Sequence, residues 1–199
     1  MDMTMETYAT LMIIALCWAI LLVADLVVSG LLRLVAKVPF RKAFKWGLLA
    51  LLVPPVVIAY GTLVERNRFE VKEVVLEFDD LPESFDGYRI VHISDIHASS
   101  FIGREEKLAE AVQMINALEP DLIAFTGDLI TLSPDELKTL TGSLGSLNAK
   151  DGVMSILGNH DYSMYSQASE EQKQEHLKTL IAKEKELGWD LLLNEYRKI

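Results

Sequence analysis

Three short apolar runs, each followed directly by polar residues, constrain the fold of this 199-residue chain more than any other feature. Apolar runs of this length between turn residues are typical of buried parallel strands. The runs occupy residues 90–93, 121–125 and 152–157, and the polar segments that follow them are 94–97, 126–128 and 158–161. We therefore expect three strands that lie side by side in one sheet.

The stretches around these runs predict the other elements of an α/β domain. Helical patterns occur near 104–118, 134–147 and 169–187, and a last apolar run follows at 189–193. Residues 71–78 partly alternate between apolar and polar side chains, which predicts an edge strand before the first run. The βαβαβαβ order predicts parallel strands that are joined by right-handed crossovers.

The polar segments would meet at one edge of this sheet, because ligands gather at the carboxyl ends of parallel strands. Two divalent cations about 3.5–4 Å apart need carboxylates, imidazoles and one bridging carboxylate. Asp95 and His97, two residues apart at one strand exit, are predicted to hold the first ion. Asp128 follows the neighbouring strand and is predicted to bridge, while Asn159 offers an amide oxygen to the second ion.

The rarest of the polar segments is Gly158-Asn159-His160-Asp161. His160 is predicted to donate a proton to the leaving oxygen, and Asp161 to orient the imidazole of His160. Asp-x-His and Gly-Asp pairs are common by chance, so each segment alone is weak. Their order, their spacing of about thirty residues and the repeated strand-exit context together favour a metal site.

The three segments resemble the first three motifs of the calcineurin-like metallophosphoesterases, over about residues 88–193. The motifs are Asp95-Ile96-His97, Gly127-Asp128 and Gly158-Asn159-His160-Asp161. The resemblance implies an αββα sandwich of two mixed sheets, hydrolysis of a phosphate ester, and two divalent metal ions such as Mn, Fe or Zn. Carried over by position, it implies the same role for each of the residues named above.

The family pattern continues with a further His and a Gly-His-x-His motif, and neither occurs in this sequence. The only later histidine is His176, which we expect to face solvent on a charged helix. His92 lies within a predicted strand, where a hydrogen-bonded position, either in the core or in support of the ligands, is favoured over a ligand role. We therefore expect the N-terminal half of the sandwich, in a domain at 69–199 that is incomplete at its C-terminal side.

Two apolar stretches before residue 65 are each long enough to cross a bilayer, which takes about 20 residues. They predict transmembrane helices at about 9–32 and 45–64, in a membrane anchor that spans residues 1–68. The start of the chain resembles a membrane-anchored bacterial subgroup of the same family. Asp25 interrupts the first stretch, and a partly hydrated, off-centre position is favoured over a contact with another helix.

The connector between the two stretches is basic, which the positive-inside rule places in the cytoplasm. Its charged residues are Arg33, Lys37, Arg41, Lys42 and Lys45. A helical hairpin then leaves the domain after residue 68 outside the cytoplasm. We expect an integral protein of a bacterial cell membrane with an extracytoplasmic catalytic domain.

The net charge of −10 disfavours a nucleic-acid partner, and with it a nuclease that uses the same metal core. The expected substrate is a phosphate ester, best a phosphodiester in or near the membrane, such as a lipid-linked one. The alternative is a non-catalytic or truncated membrane protein that retains the sheet but lacks the complete metal site. A serine hydrolase or a P-loop enzyme fits poorly, because neither Gly-x-Ser-x-Gly nor Gly-Lys-Ser/Thr is present.

Overall fold

The computed structural model describes residues 5–199 and divides the chain into two compact units. The boundary between them lies after Val71. The first unit is helical. The second is an α/β unit with one parallel sheet, which confirms the predicted fold class.

The helical unit contains two helical stretches that are long and apolar enough to cross a membrane, judged by length and composition. The first stretch belongs to α1 (Met5–Val35). The second, Phe40–Asn67, consists of α2 (Phe40–Gly47), a 3-10 segment at Leu48–Leu52, and α3 (Val53–Leu63), followed by a short 3-10 turn. The first stretch, Thr10–Val35, lies close to the predicted 9–32, and the second extends beyond the predicted 45–64 at both ends.

The break in the second stretch follows from Pro54 and Pro55. Both prolines lie in the first turn of α3, where an amide hydrogen would have no partner inside the helix. A continuous α-helix would instead require those amides to bond to the preceding turn, which proline cannot do. The chain therefore tightens into a 3-10 segment before the prolines, and α3 begins afresh.

Asp25 contacts the second helical stretch, which is the alternative that the sequence analysis disfavoured, while its position in a bilayer stays a prediction. Ser29 is buried and its Oγ donates to Asp25 Oδ1 at 3.1 Å, while Asp25 Oδ2 is buried without a partner in the described part of the chain. A Cβ atom at Gly47 would collide with the Asp25 carboxylate. Glycine at position 47 therefore permits the close approach of α2 to this side chain.

The α/β unit has a four-stranded sheet in which all strands are parallel and the spatial order equals the chain order. The strands are β1 (Ile90–Ile93), β2 (Leu122–Phe125), β3 (Val153–Ser155) and β4 (Asp190–Leu191). The connecting helices are α4 (Glu105–Asn116), α5 (Thr141–Leu144) and α6 (Glu170–Glu186). The register pairs His92 with Ala124 and Phe125 with Ser155.

The hydrophobic core is centred on β2, because this strand has a partner on each side. Ile123 and Phe125 are fully buried in one cluster with Val112 of α4 and Leu180 of α6. Trp189 completes this cluster, with its ring centroid 5.3 Å from that of Phe125. The strand exits that follow β1, β2 and β3 are therefore carried by a packed scaffold.

Two predicted elements are wrong. Residues 71–78 form no strand and their apolar side chains are exposed, because no strand of the described sheet pairs with them. The helix predicted at 134–147 is replaced by a 3-10 turn at Pro134–Leu137 and the short α5. α5 ends at Gly145, its C-cap, because glycine disfavours a longer helix.

Glu184 of α6 is fully buried in the core of the α/β unit. Ser155 Oγ donates to its Oε2 at 2.5 Å, and its Oε1 has no partner among the described residues. Burial raises the pKa of Glu184 from 4.5 to about 7; the Ser155 hydrogen bond opposes this and the charge of Asp161 adds to it. The side chain is therefore largely neutral below pH 7.

We expect the stability of the α/β unit to fall as Glu184 ionises. A raised pKa means that the folded state binds the proton more tightly than the unfolded state. The proton on Glu184 therefore contributes fully to the unfolding free energy below pH 4.5, and this contribution is lost as the pH rises through about 7. The loss amounts to about 3 kcal/mol of unfolding free energy. The unfolding free energy, measured with urea at pH 5 and pH 8, should differ less between the two pH values in Glu184→Gln than in the unsubstituted protein.

The matched control is Glu186→Gln, which changes an exposed carboxyl of the same helix. It should retain the pH effect of the unsubstituted protein. A Glu184→Gln variant with an unchanged difference between pH 5 and pH 8 would contradict this account of the core.

Candidate metal centre

The first strand exit is held in an uncommon backbone conformation. Asp95 and His97 have φ angles of 54° and 44°, in the left-handed region that residues with side chains seldom adopt. Their amides donate to the carbonyls of Gly127 at 2.9 Å and Asp128 at 3.0 Å. The second strand exit therefore holds this loop in its strained form, in which both potential ligands lie beside Asp128.

Two glycines allow the second and third strand exits to touch. Gly127 has a φ of 97°, and a Cβ atom there would collide with the backbone of Gly158. A Cβ atom at Gly158 would in turn collide with the Asp128 carboxylate. Glycine is needed at both positions, because a side chain at either would push the two loops apart. Asp128 itself has a φ of 59°.

His97, Asp128 and His160 meet where these loops converge. Each offers one ligand atom, and the three atoms lie within 4.8 Å of one another. The imidazole rings of His97 and His160 are 4.6 Å apart and nearly perpendicular. His97 Nδ1 is buried and has no hydrogen-bond partner among the described residues. Two imidazoles and a carboxylate at this spacing fit a divalent metal ion.

Asp95 lies at the margin of this cluster. Its Oδ1 is 3.7 Å from Nε2 of His97, and its side chain is exposed. Asn159 follows the third strand and is also exposed. The ligand roles of Asp95 and Asn159 remain predictions.

The orientation of His160 comes from the loop after β2. Its Nδ1 lies 2.8 Å from the carbonyl oxygen of Thr131, which can only accept a hydrogen bond. Nδ1 therefore carries the proton, and Nε2 is left to bind a metal ion or to take part in proton transfer. The His160 amide donates to Asp128 Oδ1 at 2.8 Å, which ties the third strand exit to the second.

The predicted role of Asp161 in orienting His160 is wrong. Asp161 is fully buried, and its Oδ2 accepts from the amides of Asp128 at 2.7 Å and Gly158 at 2.9 Å. Its Oδ1 accepts from the Ile130 amide at 3.1 Å. Burial raises the pKa of Asp161, although these backbone hydrogen bonds oppose the shift. The carboxylate therefore fixes the loops that carry the ligands.

A second carboxylate that the sequence reasoning missed holds the loop after β2. Glu136 accepts hydrogen bonds from the backbone amides of Thr131 and Leu132 at 2.7 Å and of Ser133 at 3.0 Å. It also accepts from the Ser99 amide at 3.1 Å. Glu136 thereby positions the Thr131 carbonyl that contacts His160. The signal was present as a capping box, Ser133 to Glu136.

The remaining histidines lie outside the cluster. His92 Nε2 is 2.8 Å from Thr126 Oγ1, so the predicted hydrogen bond is present. The residue is exposed and does not lie in the core. His176 is half-buried and its Nδ1 is 3.4 Å from Ser163 Oγ, so the expected solvent-facing position is wrong.

Comparison with known proteins agrees with this site. The family model for calcineurin-like phosphoesterases matches residues 88–195. A zebrafish (Danio rerio) transmembrane protein with metallophosphoesterase domain is 35% identical over 120 residues, which cover 60% of this chain and 27% of that protein. The metallophosphoesterase YkuE of Bacillus subtilis is 37% identical over 112 residues, or 55% of this chain and 38% of YkuE.

A further relative is the UDP-2,3-diacylglucosamine pyrophosphatase LpxG of Chlamydia muridarum, 39% identical over 89 residues, or 43% of this chain and 27% of LpxG. The matched part of the chain thus spans between about a quarter and two fifths of these relatives. The family model covers more than half of the chain, and the residues it covers include every strand exit described above. The resemblance drawn from three short motifs is confirmed: the chain belongs to the calcineurin-like phosphoesterase family.

Proposed function

We propose that this protein hydrolyses a phosphate ester, best a phosphodiester, with the help of two divalent metal ions. The observation that carries this proposal is the convergence of His97, Asp128 and His160 within 4.8 Å at neighbouring strand exits of a phosphoesterase domain. Bound ions would withdraw charge from the phosphoryl oxygens and acidify a water molecule. The side chains of the protein would hold the ions and transfer one proton.

In this proposal Asp95 and His97 would hold the first ion, and Asn159 the second. Asp128 would be a ligand to both. Its Oδ1 already accepts the His160 amide, which fixes the plane of the carboxylate. His160 in its imidazolium form donates the Nε2 proton to the leaving oxygen and returns to the neutral form, in which Nδ1 keeps the proton that the Thr131 carbonyl accepts.

We further propose that the helical unit anchors the domain in a membrane and that the substrate is lipid-linked. Two stretches of this unit are long and apolar enough to span a bilayer. The zebrafish relative is named as a transmembrane protein, and the Chlamydia relative as a pyrophosphatase of a diacylated sugar nucleotide. We propose a bacterial cell membrane, and the basic connector supports an extracytoplasmic position of the α/β unit.

A non-catalytic membrane protein is the second candidate. It is favoured by one observation, that the three clustered side chains supply only part of the ligand set that two ions need. Metal binding without turnover would support this candidate, whereas metal-dependent turnover would support the first.

The hydrolysis proposal predicts that Asp128→Asn lowers the rate with bis-p-nitrophenyl phosphate and Mn²⁺ on the order of 100-fold, because the bridging charge is lost. The amount of bound Mn²⁺ per chain should fall in the same variant. Asp135→Asn is the matched control, since Asp135 is exposed and pairs only with Lys138 at the surface. Equal rates for Asp128→Asn and the unsubstituted protein would defeat the proposal.

Substitution of Asp161 tests its role as a support for the loops. Asp161→Asn replaces one acceptor oxygen with an amide group, so at least one of the three backbone hydrogen bonds is lost. We expect the affinity for Mn²⁺, measured by titration calorimetry, to fall about 10-fold or more. A variant with normal Mn²⁺ affinity and a reduced rate would restore the view that Asp161 acts through His160.

The proposed orientation predicts which side of the membrane each segment faces. Single cysteines at Lys37→Cys and Asp79→Cys, placed in a Cys17→Ser background, test the connector and the start of the α/β unit. Both positions are exposed. In intact bacterial cells, a membrane-impermeant maleimide should label only the cysteine at position 79. The reverse pattern would place the α/β unit in the cytoplasm.

A further inference from the structure

A cluster of exposed apolar side chains follows directly after His160. Tyr162, Met164 and Tyr165 are 47%, 64% and 63% exposed, while Ser163 between them is only 1% exposed. We call these three exposed residues the tyrosine–methionine patch. The transfer of aromatic rings and thioethers from water to an apolar contact is favourable. Three such side chains within four consecutive residues therefore offer a binding surface for an apolar group.

The loop that carries the patch has a defined shape. Ser163 has a φ of 54°, a strained value for serine. Its amide donates to the His160 carbonyl at 2.8 Å, its carbonyl accepts from the Ser166 amide at 3.1 Å, and its Oγ lies 3.4 Å from His176 Nδ1. These contacts draw Ser163 inward and leave its two neighbours, Tyr162 and Met164, on the outside.

The patch is continuous with the metal centre. The ring of Tyr165 lies 4.6 Å from the imidazole of His160, centroid to centroid, with 35° between the planes. His160 is in turn one of the three clustered side chains. A group that is esterified to a phosphate at this centre would therefore lie within reach of the patch.

The charges around the centre favour an apolar ester group. The strand-exit segments 94–104, 126–133 and 157–169 contain three aspartates and a single basic residue, Arg104. Additional phosphates or carboxylates on a substrate are usually bound by arginine and lysine. These segments offer little such charge, whereas they offer the two tyrosines and the methionine of the patch.

Building on the proposed function, we propose that the tyrosine–methionine patch binds an alkyl or acyl chain of the ester, and that the protein selects phosphoesters that carry one. The chain would lie across Tyr162 and Met164, and Tyr165 would separate it from the imidazole of His160. Burial of a methylene group against a protein surface gains up to about fourfold in affinity, and about twofold where one side remains open to water.

The test compares methyl and hexyl p-nitrophenyl phosphate, two water-soluble diesters with the same leaving group. The protein is the full chain in detergent with Mn²⁺. At about twofold per methylene, the hexyl ester should have a kcat/KM about 30 times that of the methyl ester. In the double variant Tyr162→Ser/Met164→Ser this ratio should fall below about fivefold, because most of the apolar contact is lost.

A matched control removes two exposed apolar side chains elsewhere, with Tyr196→Ser/Ile199→Ser. It should retain the ratio. A hexyl-to-methyl ratio near one in the unsubstituted protein would overturn the inference and leave the proposed hydrolysis intact. So would a patch variant that slows both esters by the same factor, since that result assigns the patch to the positioning of His160.

Binding of hexylphosphonate and methylphosphonate, measured by calorimetry, separates this inference from the proposed function. These compounds are not hydrolysed, so the ratio of their affinities reports on the patch without turnover. A ratio of about 30 that collapses in the patch variant would support the patch, even if no ester were hydrolysed and the proposed function failed. Equal affinities for the two phosphonates would overturn the inference.

Discussion

The metal centre depends on one buried carboxylate. Asp161 binds the backbone amides of Asp128, Gly158 and Ile130, and thereby holds together the loops that follow β2 and β3. An ionised group in the protein interior is costly unless hydrogen bonds surround it, and three amides supply them here. The loops therefore stabilise the charge, while the charge brings Asp128 and His160 together.

Three of the seven described non-glycine residues with a positive φ angle are candidate metal ligands. Asp95, His97 and Asp128 all adopt positive φ angles, and such conformations cost on the order of 1–3 kcal/mol each in residues with a side chain. Backbone hydrogen bonds from the first strand exit to the second sustain them. If these positions only had to form a turn, glycine would make the chain more stable. The presence of strained side chains there is consistent with a requirement for their ligand atoms.

The sequence predicted what depends on local patterns. The strands β1, β2 and β3 were readable because each is a short apolar run before a turn, and α6 because its charged helical pattern is long. The edge strand at 71–78 was wrong, since an alternating pattern shows suitability for a sheet and cannot show that a partner is present. The helix at 134–147 was wrong in its extent, since the pattern does not show that a 3-10 turn precedes α5 or that Gly145 ends it.

The role of Asp161 could not be read from the sequence, and that of Glu136 only in part. Asp161 binds the backbone amides of Asp128 and Ile130, which become its neighbours only after folding, and an amide has no signature in the residue code. The capping box indicates the local hydrogen bonds of Glu136, but not its contact with the Ser99 amide. The order of the motifs gives the set of polar side chains, but not which of them contact a metal ion and which contact the backbone. In a centre built from loops, a carboxylate beside a histidine is thus as plausible a support as a partner, and only burial and hydrogen bonds distinguish the two.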